Sequence, residues 1–265
     1  MTRASSFKTA VLTAFLAAIG ATGSHAADLT VGANIGNVPW EFQDASGKTV
    51  GFEVDLVTEI AKRLGKTVEF VNTPFAGLFP AVQSGRINMA VSSITITQKR
   101  LESVSFAQPY YDSDQSLTVT AKSGIAGLKD MGSKPVGVDT GSTGDMWADA
   151  HKGEYKLGEI RKFEGLQPAM LDLVAGRIDG YISDIPALLY YVKGKPELKV
   201  VERIPTGEKY SIMFNKGDPL ATEVNGVITT LKKEGFIAKL HETWFGAKAE
   251  DTTSTVAVLD MPKAK

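Results

Sequence analysis

The sequence predicts an α/β fold of two lobes, each a mostly parallel sheet flanked by helices. Short apolar runs typical of buried strands alternate with segments whose apolar residues recur at helical spacing. A helix, a glycine and then Arg-Ile-Asn or Arg-Ile-Asp occur twice, at residues 79–88 and 168–179. The 265 residues, of which 43% are hydrophobic and 22% charged, form an ordinary globular composition that suits one large domain or two small ones.

The first 26 residues are predicted to be a cleavable signal peptide. Arg3 and Lys8 precede an apolar run from Thr9 to Gly20, which is shorter than the about 20 residues that a membrane span needs. Ser24-His25-Ala26 fits the small-x-small cleavage rule, so we expect cleavage after Ala26 and export to the periplasm. The alternatives are an uncleaved anchor or a buried N-terminal helix.

The next part of the chain is predicted to begin with a strand. Leu29–Asn34 is short, apolar and followed by turn residues. Four apolar residues at helical spacing between Phe52 and Leu64 predict a helix that ends at Gly65. The other elements predicted here are a strand at 68–71, a helix at 75–84 and a buried strand at 88–93.

The same alternation continues in the second part of the chain. The predicted strands are 134–139, 158–163 and 180–183, and the predicted helices are 144–150, 166–175 and 185–193. Ligands of open α/β sheets bind beyond the carboxyl ends of the strands. We therefore expect two strand-end pairs, Ser92-Ser93 and Ser183-Asp184, to face a common cleft between the lobes.

Charge and cysteine content exclude several classes of function. The 29 Lys and Arg against 30 Asp and Glu argue against a nucleic-acid-binding protein, which would carry a basic excess. The lack of cysteine excludes disulfides, thiolate metal sites, cysteine nucleophiles and a lipoprotein anchor. His151 and His241 are far apart in the sequence and lack ligand spacing, so neither a metal site nor a cofactor is predicted.

Six stretches, in order along nearly the whole predicted mature chain, resemble the extracellular solute-binding proteins of the polar amino-acid family, the periplasmic receptors of ABC importers. They are residues 50–56 (VGFEVDL), 70–75 (FVNTPF), 92–100 (SSITITQKR), 106–111 (FAQPYY), 136–144 (VGVDTGSTG) and 240–246 (LHETWFG). The resemblance implies the type II periplasmic binding protein fold with two hinge crossings. It also implies a monomer without enzymatic activity that closes on an amino acid and delivers it to the importer's membrane subunits.

This fold divides the chain into lobes. We expect residues 27–113 and 211–248 to form lobe 1 and residues 114–210 to form lobe 2, with crossings near Asp112–Leu117 and Lys209–Met213. The tail at 249–265 is not explained by the resemblance.

The resemblance implies how lobe 1 holds the carboxylate of a zwitterionic ligand. Arg100 matches the family's carboxylate-binding arginine, whose planar fork suits that group. Ser93 and Thr95 are expected to assist it, and Ser92 is expected to offer an oxygen to the ligand's ammonium. Considered alone, Arg100 would better fit an exposed cation on a helix, and it is the surrounding segment that favours the ligand-binding role.

Lobe 2 is expected to complete the site. Asp184 matches the acid that accepts the ammonium, although an Asp before Ile185-Pro186 also suits a helix N-cap. Ser142 and Thr143 follow Gly141 in a turn that opens a helix, where N–H groups form an anion site. The alternative is that this turn only begins a helix and does not contact the ligand.

Four positions are expected to surround the ligand's side chain. Asn34 and Asn37 replace the acid and the aromatic residue that are usual in the family, whereas the aromatic wall at Phe75 is kept. Asp139 occupies a variable position, where an acid repels acidic ligands and favours polar or basic ones. The alternative for Asp139 is a cap on the turn at Thr140-Gly141.

Two other functions fit the same scaffold. A periplasmic dehydratase would recruit Glu41 or Asp139 as an acid, but the zwitterion site is kept and no further catalytic group is evident. A sensory ligand-binding module is disfavoured because neither a transmembrane segment nor a signalling domain follows.

Overall fold

The computed structural model describes Met1 and residues 27–265, so the predicted signal peptide lies outside the described residues except for Met1. Within the described chain, no helix has the length and apolar character needed to cross a membrane. A short 3₁₀ turn at Leu128–Asp130 precedes the fourth α-helix. The strands and α-helices in chain order are β1 (Leu29–Ala33), β2 (Phe42–Gln43), β3 (Thr49–Val50), α1 (Phe52–Arg63), β4 (Val68–Asn72), α2 (Phe75–Gln83), β5 (Met89–Ala90), α3 (Gln98–Ser103), β6 (Val104–Phe106), β7 (Tyr111–Thr120), β8 (Val136–Asp139), α4 (Thr143–His151), β9 (Ile160–Phe163), α5 (Leu166–Val174), β10 (Gly180–Asp184), α6 (Ile185–Tyr191), β11 (Leu198–Tyr210), β12 (Met213–Asn215), α7 (Leu220–Lys233) and α8 (Phe236–Phe245).

Two five-stranded sheets form the centres of the two lobes. The lobe 1 sheet has the order β4-β1-β5-β12-β6, and the lobe 2 sheet has the order β11-β7-β10-β8-β9. Two of the four strand pairs in each sheet are parallel and two are antiparallel, so parallel pairing is less extensive than the sequence predicted. The antiparallel pairs involve β7, β11 and β12, which lie where the chain passes between the sheets and are not linked by helical crossovers.

The predicted helices form because one face of each is apolar. In α1, the apolar residues Phe52, Leu56 and Ile60 are fully buried, and acidic residues in the first turn and basic residues in the last complement the helix dipole. The predicted strand at 88–93 is shorter than expected. Only Met89–Ala90 pairs as β5, because Ser93 adopts a left-handed conformation with φ of +44° and turns the chain out of the sheet.

The two crossing segments pair with each other. β7 and β11 run antiparallel from Thr120 and Leu198 to Tyr111 and Tyr210, where the chain enters lobe 1. Their register shifts between Ile204 and Glu208, which marks a bulge. Asp114 on β7 stabilises this bulge by accepting the N–H groups of residues 206 and 207, both at 2.7 Å.

An aromatic cluster lies at the lobe 1 end of these crossings. Trp40 is fully buried and makes edge-to-face contacts with Tyr111 on β7 and Tyr210 on β11, at centroid distances of 4.7 and 5.4 Å. The two tyrosine rings stack on each other at 5.8 Å, and Phe245 of α8 covers Trp40. Such aromatic pairs stabilise beyond the area that they bury.

The tail packs on lobe 1 and on the crossings. Ser254 bonds to Asp112 of β7 and to Lys209 of β11. Lys232 of α7 is 4% exposed, and its ammonium donates to Gln108 Oε1 at 2.9 Å and to the carbonyls of Pro109 and Ala257 at 2.7 and 2.8 Å. The tail therefore supplies an acceptor to a buried cation of lobe 1.

Candidate functional site

A cavity lies between the lobes where the strand ends of both sheets meet. Ten of the residues selected from the sequence line it, and Leu166 and Ser183 line it as well. The ten are Asn34, Asn37, Phe75, Ser92, Ser93, Thr95, Asp139, Ser142, Thr143 and Asp184. The structure thus brings together residues that are up to 150 positions apart in the sequence.

Two buried glutamates fix the turn that carries Ser92 and Ser93. Glu53 of α1 accepts the N–H of Ser93 at 2.9 Å and the hydroxyl of Tyr110. Glu41 accepts the Ser92 hydroxyl at 2.6 Å. Burial raises the pKa of both carboxyl groups. Since the Ser92 proton is donated to Glu41, this hydroxyl has only lone pairs to offer, which suits an ammonium group.

Arg100 lies behind the cavity and is not one of its lining residues. It is 5% exposed, so it is not the exposed helix cation that was the alternative. Its guanidinium donates to the carbonyls of Thr95 at 2.7 Å and Gly141 at 3.2 Å, and lies 5.4 Å from the centroid of Phe75. Burial lowers its pKa to about 10, while the carboxylates of Glu208 and Asp184 oppose that shift, so the group stays charged at neutral pH.

Asp184 faces the cleft and does not cap a helix. It occupies the N-cap position of α6 but makes no side-chain cap bond. Its carboxylate accepts Ser93 Oγ at 3.0 Å from lobe 1 and Gln115 Nε2 at 2.6 Å. Burial and the neighbouring Glu208 raise its pKa to about 8. A cation at this place would favour the ionised form.

The turn before α4 differs from the predicted anion site. The N–H of Gly141 donates to the Asp145 carboxylate and the N–H of Ser142 donates to the carbonyl of Asp139, both at 3.0 Å. The Ser142 hydroxyl is the N-cap of α4 and accepts the N–H of Asp145. Two of the backbone donors expected to meet a carboxylate are therefore used within the turn, which holds the turn rigid. Thr143 places its hydroxyl 3.4 Å from that of Thr95.

Asp139 ends β8 at the cavity. Its Oδ1 atom is buried without a hydrogen-bond partner, and no side-chain bond to the following turn supports the alternative of a cap. Burial raises its pKa to about 7; the Tyr181 hydroxyl opposes that shift, and the negative charges of Glu164 and Asp145 add to it. An unpartnered buried carboxylate oxygen is costly, so this group favours a ligand that brings a donor or a positive charge.

The remaining predicted residues lie on the lobe 1 wall. Asn37 donates to Ser93 Oγ at 3.2 Å. Asn34 directly follows β1 and faces Gly165 of lobe 2, since a Cβ added to Gly165 would lie 3.3 Å from the Asn34 amide nitrogen. Phe75 begins α2 and lies beside the Arg100 guanidinium. These residues form a polar wall with one aromatic face.

Two residues beside the cavity were missed by sequence reasoning. Glu208 is 6% exposed and accepts bonds from Thr95 and Thr143, and Gln115 bonds to both Glu208 and Asp184. Both lie on the crossing strands, which the sequence presents only as links between lobes. The sequence Pro205-Thr206-Gly207, which is typical of a turn but lies inside a strand, could have indicated Glu208. Such a sequence favours a bulge, and a bulge redirects the side chain that follows it.

Comparison with known proteins identifies the family. The profile of bacterial extracellular solute-binding proteins, family 3, matches residues 29–247. The probable histidine-binding protein of Neisseria gonorrhoeae is 30% identical over 220 residues, covering 81% of this chain and 82% of that protein. ABC transporter arginine-binding protein 1 of Escherichia coli K12 is 27% identical over 247 residues, covering 90% and 99%.

A solved structure agrees with these relatives. An ancestral arginine-binding protein bound to arginine has a TM-score of 0.78 and 36% identity, covering 82% of this chain and 98% of that one. This likeness confirms the two-lobe fold predicted from the sequence. All three proteins are named as binding proteins, which supports solute binding and not catalysis. The chain belongs to the bacterial extracellular solute-binding proteins, family 3.

Proposed function

We propose that this protein binds an amino acid with a basic or polar side chain in the cleft between its lobes and delivers it to an ABC importer. The observation that carries the proposal is the cleft itself, which is lined by Asp139 and Asp184, with the buried Arg100 behind it and the buried Glu208 beside it, so that one cation stands against three carboxyl groups. A ligand with one carboxylate and two positive groups complements that distribution of charge.

The expected contacts follow from the positions of these groups. Arg100 is proposed to hold the ligand's carboxylate, and Asp184 and Ser92 its ammonium. Asp139 is proposed to meet the side chain, with Asn34, Asn37 and Phe75 as the surrounding wall. The names of the relatives, which include arginine- and histidine-binding proteins, support a cationic ligand.

Delivery requires the lobes to open and close on the ligand. Ser93 bonds to Asp184 and Arg100 bonds to Gly141 across the cleft, so an entering ligand must separate these contacts. A ligand that contacts both lobes then shifts the population toward a closed form that an importer recognises.

The ligand is best identified with a thermal-shift panel of the twenty amino acids, opines, polyamines and betaines, followed by calorimetric titration. A ligand at 100 times its dissociation constant adds about 2.7 kcal/mol of stability. We expect the largest shift from a cationic amino acid. A larger shift from glutamate or aspartate would contradict the proposed charge preference, and no binding of any amino acid would contradict the proposed function. Mass spectrometry after incubation tests the dehydratase alternative, which requires a product.

The finer features of the exported protein belong to the same proposal. We propose cleavage after Ala26, a monomeric periplasmic product, and lobe boundaries at 27–113, 114–210 and 211–248 with the tail at 249–265. The N-terminal sequence of protein recovered from the periplasm tests the cleavage site, and light scattering tests the monomer.

A further inference from the structure

Glu41 and Glu53 form a buried pair of acids behind the turn that carries Ser92 and Ser93. Both acids are fully buried, and their carboxyl groups are in hydrogen-bonding contact with each other. Glu41 directly precedes β2 and Glu53 lies in the first turn of α1, so two elements of lobe 1 meet at this pair. The two serines line the cavity, whereas the two acids lie behind that lining.

The hydrogen bonds around the pair leave one oxygen of each acid without a partner. Glu53 Oε1 accepts the Ser93 N–H at 2.9 Å and the Tyr110 hydroxyl, and Glu41 Oε1 accepts the Ser92 hydroxyl at 2.6 Å. The Oε2 atom of each acid is buried and has no donor among the described residues. Two ionised groups would only accept hydrogen bonds, so they would repel each other and leave both Oε2 atoms unsatisfied. A single proton held between the two acids removes both costs.

The surroundings of the two acids decide which of them holds that proton. Burial raises the pKa of Glu53, but its hydrogen bonds with Glu41, Tyr110 and Ser93 all favour the ionised form. Burial and then the charge of Glu53 raise the pKa of Glu41 well above its usual range. Glu41 is therefore the neutral acid and donates its proton, and Glu53 is the ionised acid and accepts it.

This arrangement determines what the turn presents to the cleft. The Oε1 atom of a neutral Glu41 is a carbonyl oxygen that accepts the Ser92 proton, so the Ser92 hydroxyl has only lone pairs to offer to a ligand. The ionised Glu53 holds the Ser93 N–H and with it the left-handed backbone of Ser93, whose φ is +44°. Ser93 Oγ in turn donates to Asp184 of lobe 2 at 3.0 Å, so the position of the turn also sets a contact across the cleft.

We propose that Glu41 and Glu53 are positioning residues that share one proton, and that the bond between them fixes Ser92 and Ser93 at the ligand cleft. Both acids act through the two serines and do not touch the ligand. This inference rests on the proposed function and adds to it two residues outside the predicted ligand-contacting set.

Infrared difference spectroscopy of the wild type and Glu41→Gln at neutral pH tests the shared proton. Glutamine has the same acceptor oxygen and a donor in the place of the acid's proton, so this variant keeps the bonds and loses one carboxyl group. We expect the difference spectrum to contain the carbonyl stretch of a protonated carboxyl group. Glu69→Gln, which removes an exposed acid on β4, is the matched control and should lose only the bands of an ionised carboxylate. A folded Glu41→Gln variant that also loses only carboxylate bands would overturn the proposal.

Calorimetric titration with arginine, histidine and glutamine tests the positioning role. Glu41→Leu should lose affinity because leucine has neither donor nor acceptor, and Glu41→Gln should restore it to within about threefold of the wild type. Glu53→Gln should weaken binding by about tenfold or more, since Glu53 accepts three donors and an amide has only one acceptor oxygen. Equal affinities of Glu41→Gln and Glu53→Gln would overturn the proposal.

Urea unfolding covers a variant that has no measurable affinity. For the same reason, Glu53→Gln should lower the free energy of unfolding by more than Glu41→Gln does, and the reverse order would overturn the proposal. A wild type that binds no amino acid would remove the proposed function, and the infrared spectra would still decide whether the pair shares a proton. A wild type that binds arginine, together with a Glu41→Gln variant that loses only carboxylate bands, would remove this inference alone.

Discussion

At the residue scale, the cleft is dominated by the imbalance between one buried cation and several acids. Arg100 is held by two carbonyls and two aromatic rings, whereas Asp139 has a carboxylate oxygen without a partner. A buried charge without full compensation is destabilising on its own and becomes favourable when a ligand supplies the opposite charge. The residues that line the cleft are therefore better satisfied with a ligand than among themselves.

Arg100→Ala should abolish binding of ligands that carry an α-carboxylate. Truncating one partner of a buried charge pair costs on the order of 2–5 kcal/mol of binding free energy. Calorimetry should show this loss while the circular dichroism spectrum stays unchanged. Lys99→Ala, an exposed neighbour on the same helix, is the matched control and should bind as the wild type does. Retained affinity in Arg100→Ala would contradict the assigned role.

Binding of a cationic amino acid should strengthen as the pH rises from about 6 to about 8.5. The pKa of Asp139 is raised to about 7 and that of Asp184 to about 8, chiefly by burial, so both are largely protonated at the lower pH. A bound cation favours their ionised forms, so binding releases protons in this range. Without ligand the pH dependence has the opposite sign. The free energy of unfolding should fall as the pH rises from 3.8, the ordinary pKa of an Asp carboxyl group, through the raised pKa values of Asp139 and Asp184.

Titrations in buffers of different ionisation enthalpy count the protons released. When it binds arginine, the Asp139→Asn variant should release fewer protons than the wild type, and its affinity should depend less on pH. A pH-independent affinity in the wild type would mean that neither carboxyl group changes its protonation when the ligand binds.

At the element scale, the sequence predicted which segments form and missed how two of them are shaped by distant contacts. The helices follow from apolar spacing and glycine ends, and the selected site residues gather because strand ends of two sheets face each other. The strand before Ser93 is short because Glu53, 40 positions away, binds the Ser93 N–H in a turn. Glu208 was not predicted because the direction of its side chain depends on the bulge in β11. Asp114 holds that bulge in place by bonding to residues that lie 92 and 93 positions further along the chain. Periodicity describes an isolated segment and carries no information about such long-range bonds.

The tail at 249–265 should stabilise lobe 1 through Lys232. Burial lowers the pKa of this lysine to about 8, and the carbonyl of Ala257 is one of its three acceptors. Removing residues 251–265 should lower the free energy of unfolding by about 2 kcal/mol or more, since a hydrogen bond to a charged group is lost and buried surface is exposed. Urea unfolding measures this change.

A double-mutant cycle tests the mechanism of that stabilisation. Lys232→Met should lower the free energy of unfolding by less in the shortened chain than in the full chain, because the Lys232 ammonium has already lost one acceptor in the shortened chain. Lys233→Met, next on the same helix and exposed, is the control. Additive effects of the truncation and Lys232→Met would show that the tail acts independently of this lysine.

At the scale of the whole molecule, function depends on relative motion of two lobes that are joined by the paired strands β7 and β11. The cleft bonds between Ser93 and Asp184 and between Arg100 and Gly141 join the two lobes. The aromatic cluster of Trp40, Tyr111 and Tyr210 lies where the strands enter lobe 1. Any bending of the strands relative to lobe 1 must therefore change the packing around Trp40.

The position of Trp40 gives the protein an optical reporter of its own closure. The emission of an indole depends on the rings and dipoles around it, and here one neighbouring ring belongs to each crossing strand. Of the three tryptophans, Trp147 and Trp244 are replaced by phenylalanine to leave Trp40 as the single indole, which is excited selectively over the seven tyrosines. Titrating that double variant with the bound amino acid should change the intensity or wavelength of emission with the same midpoint as calorimetry. An emission spectrum that is unaltered at saturation would show that the bending occurs outside the Tyr111–Tyr210 pair. If the fluorescence and calorimetric midpoints agree, binding rates can be followed by stopped-flow fluorescence without an attached dye.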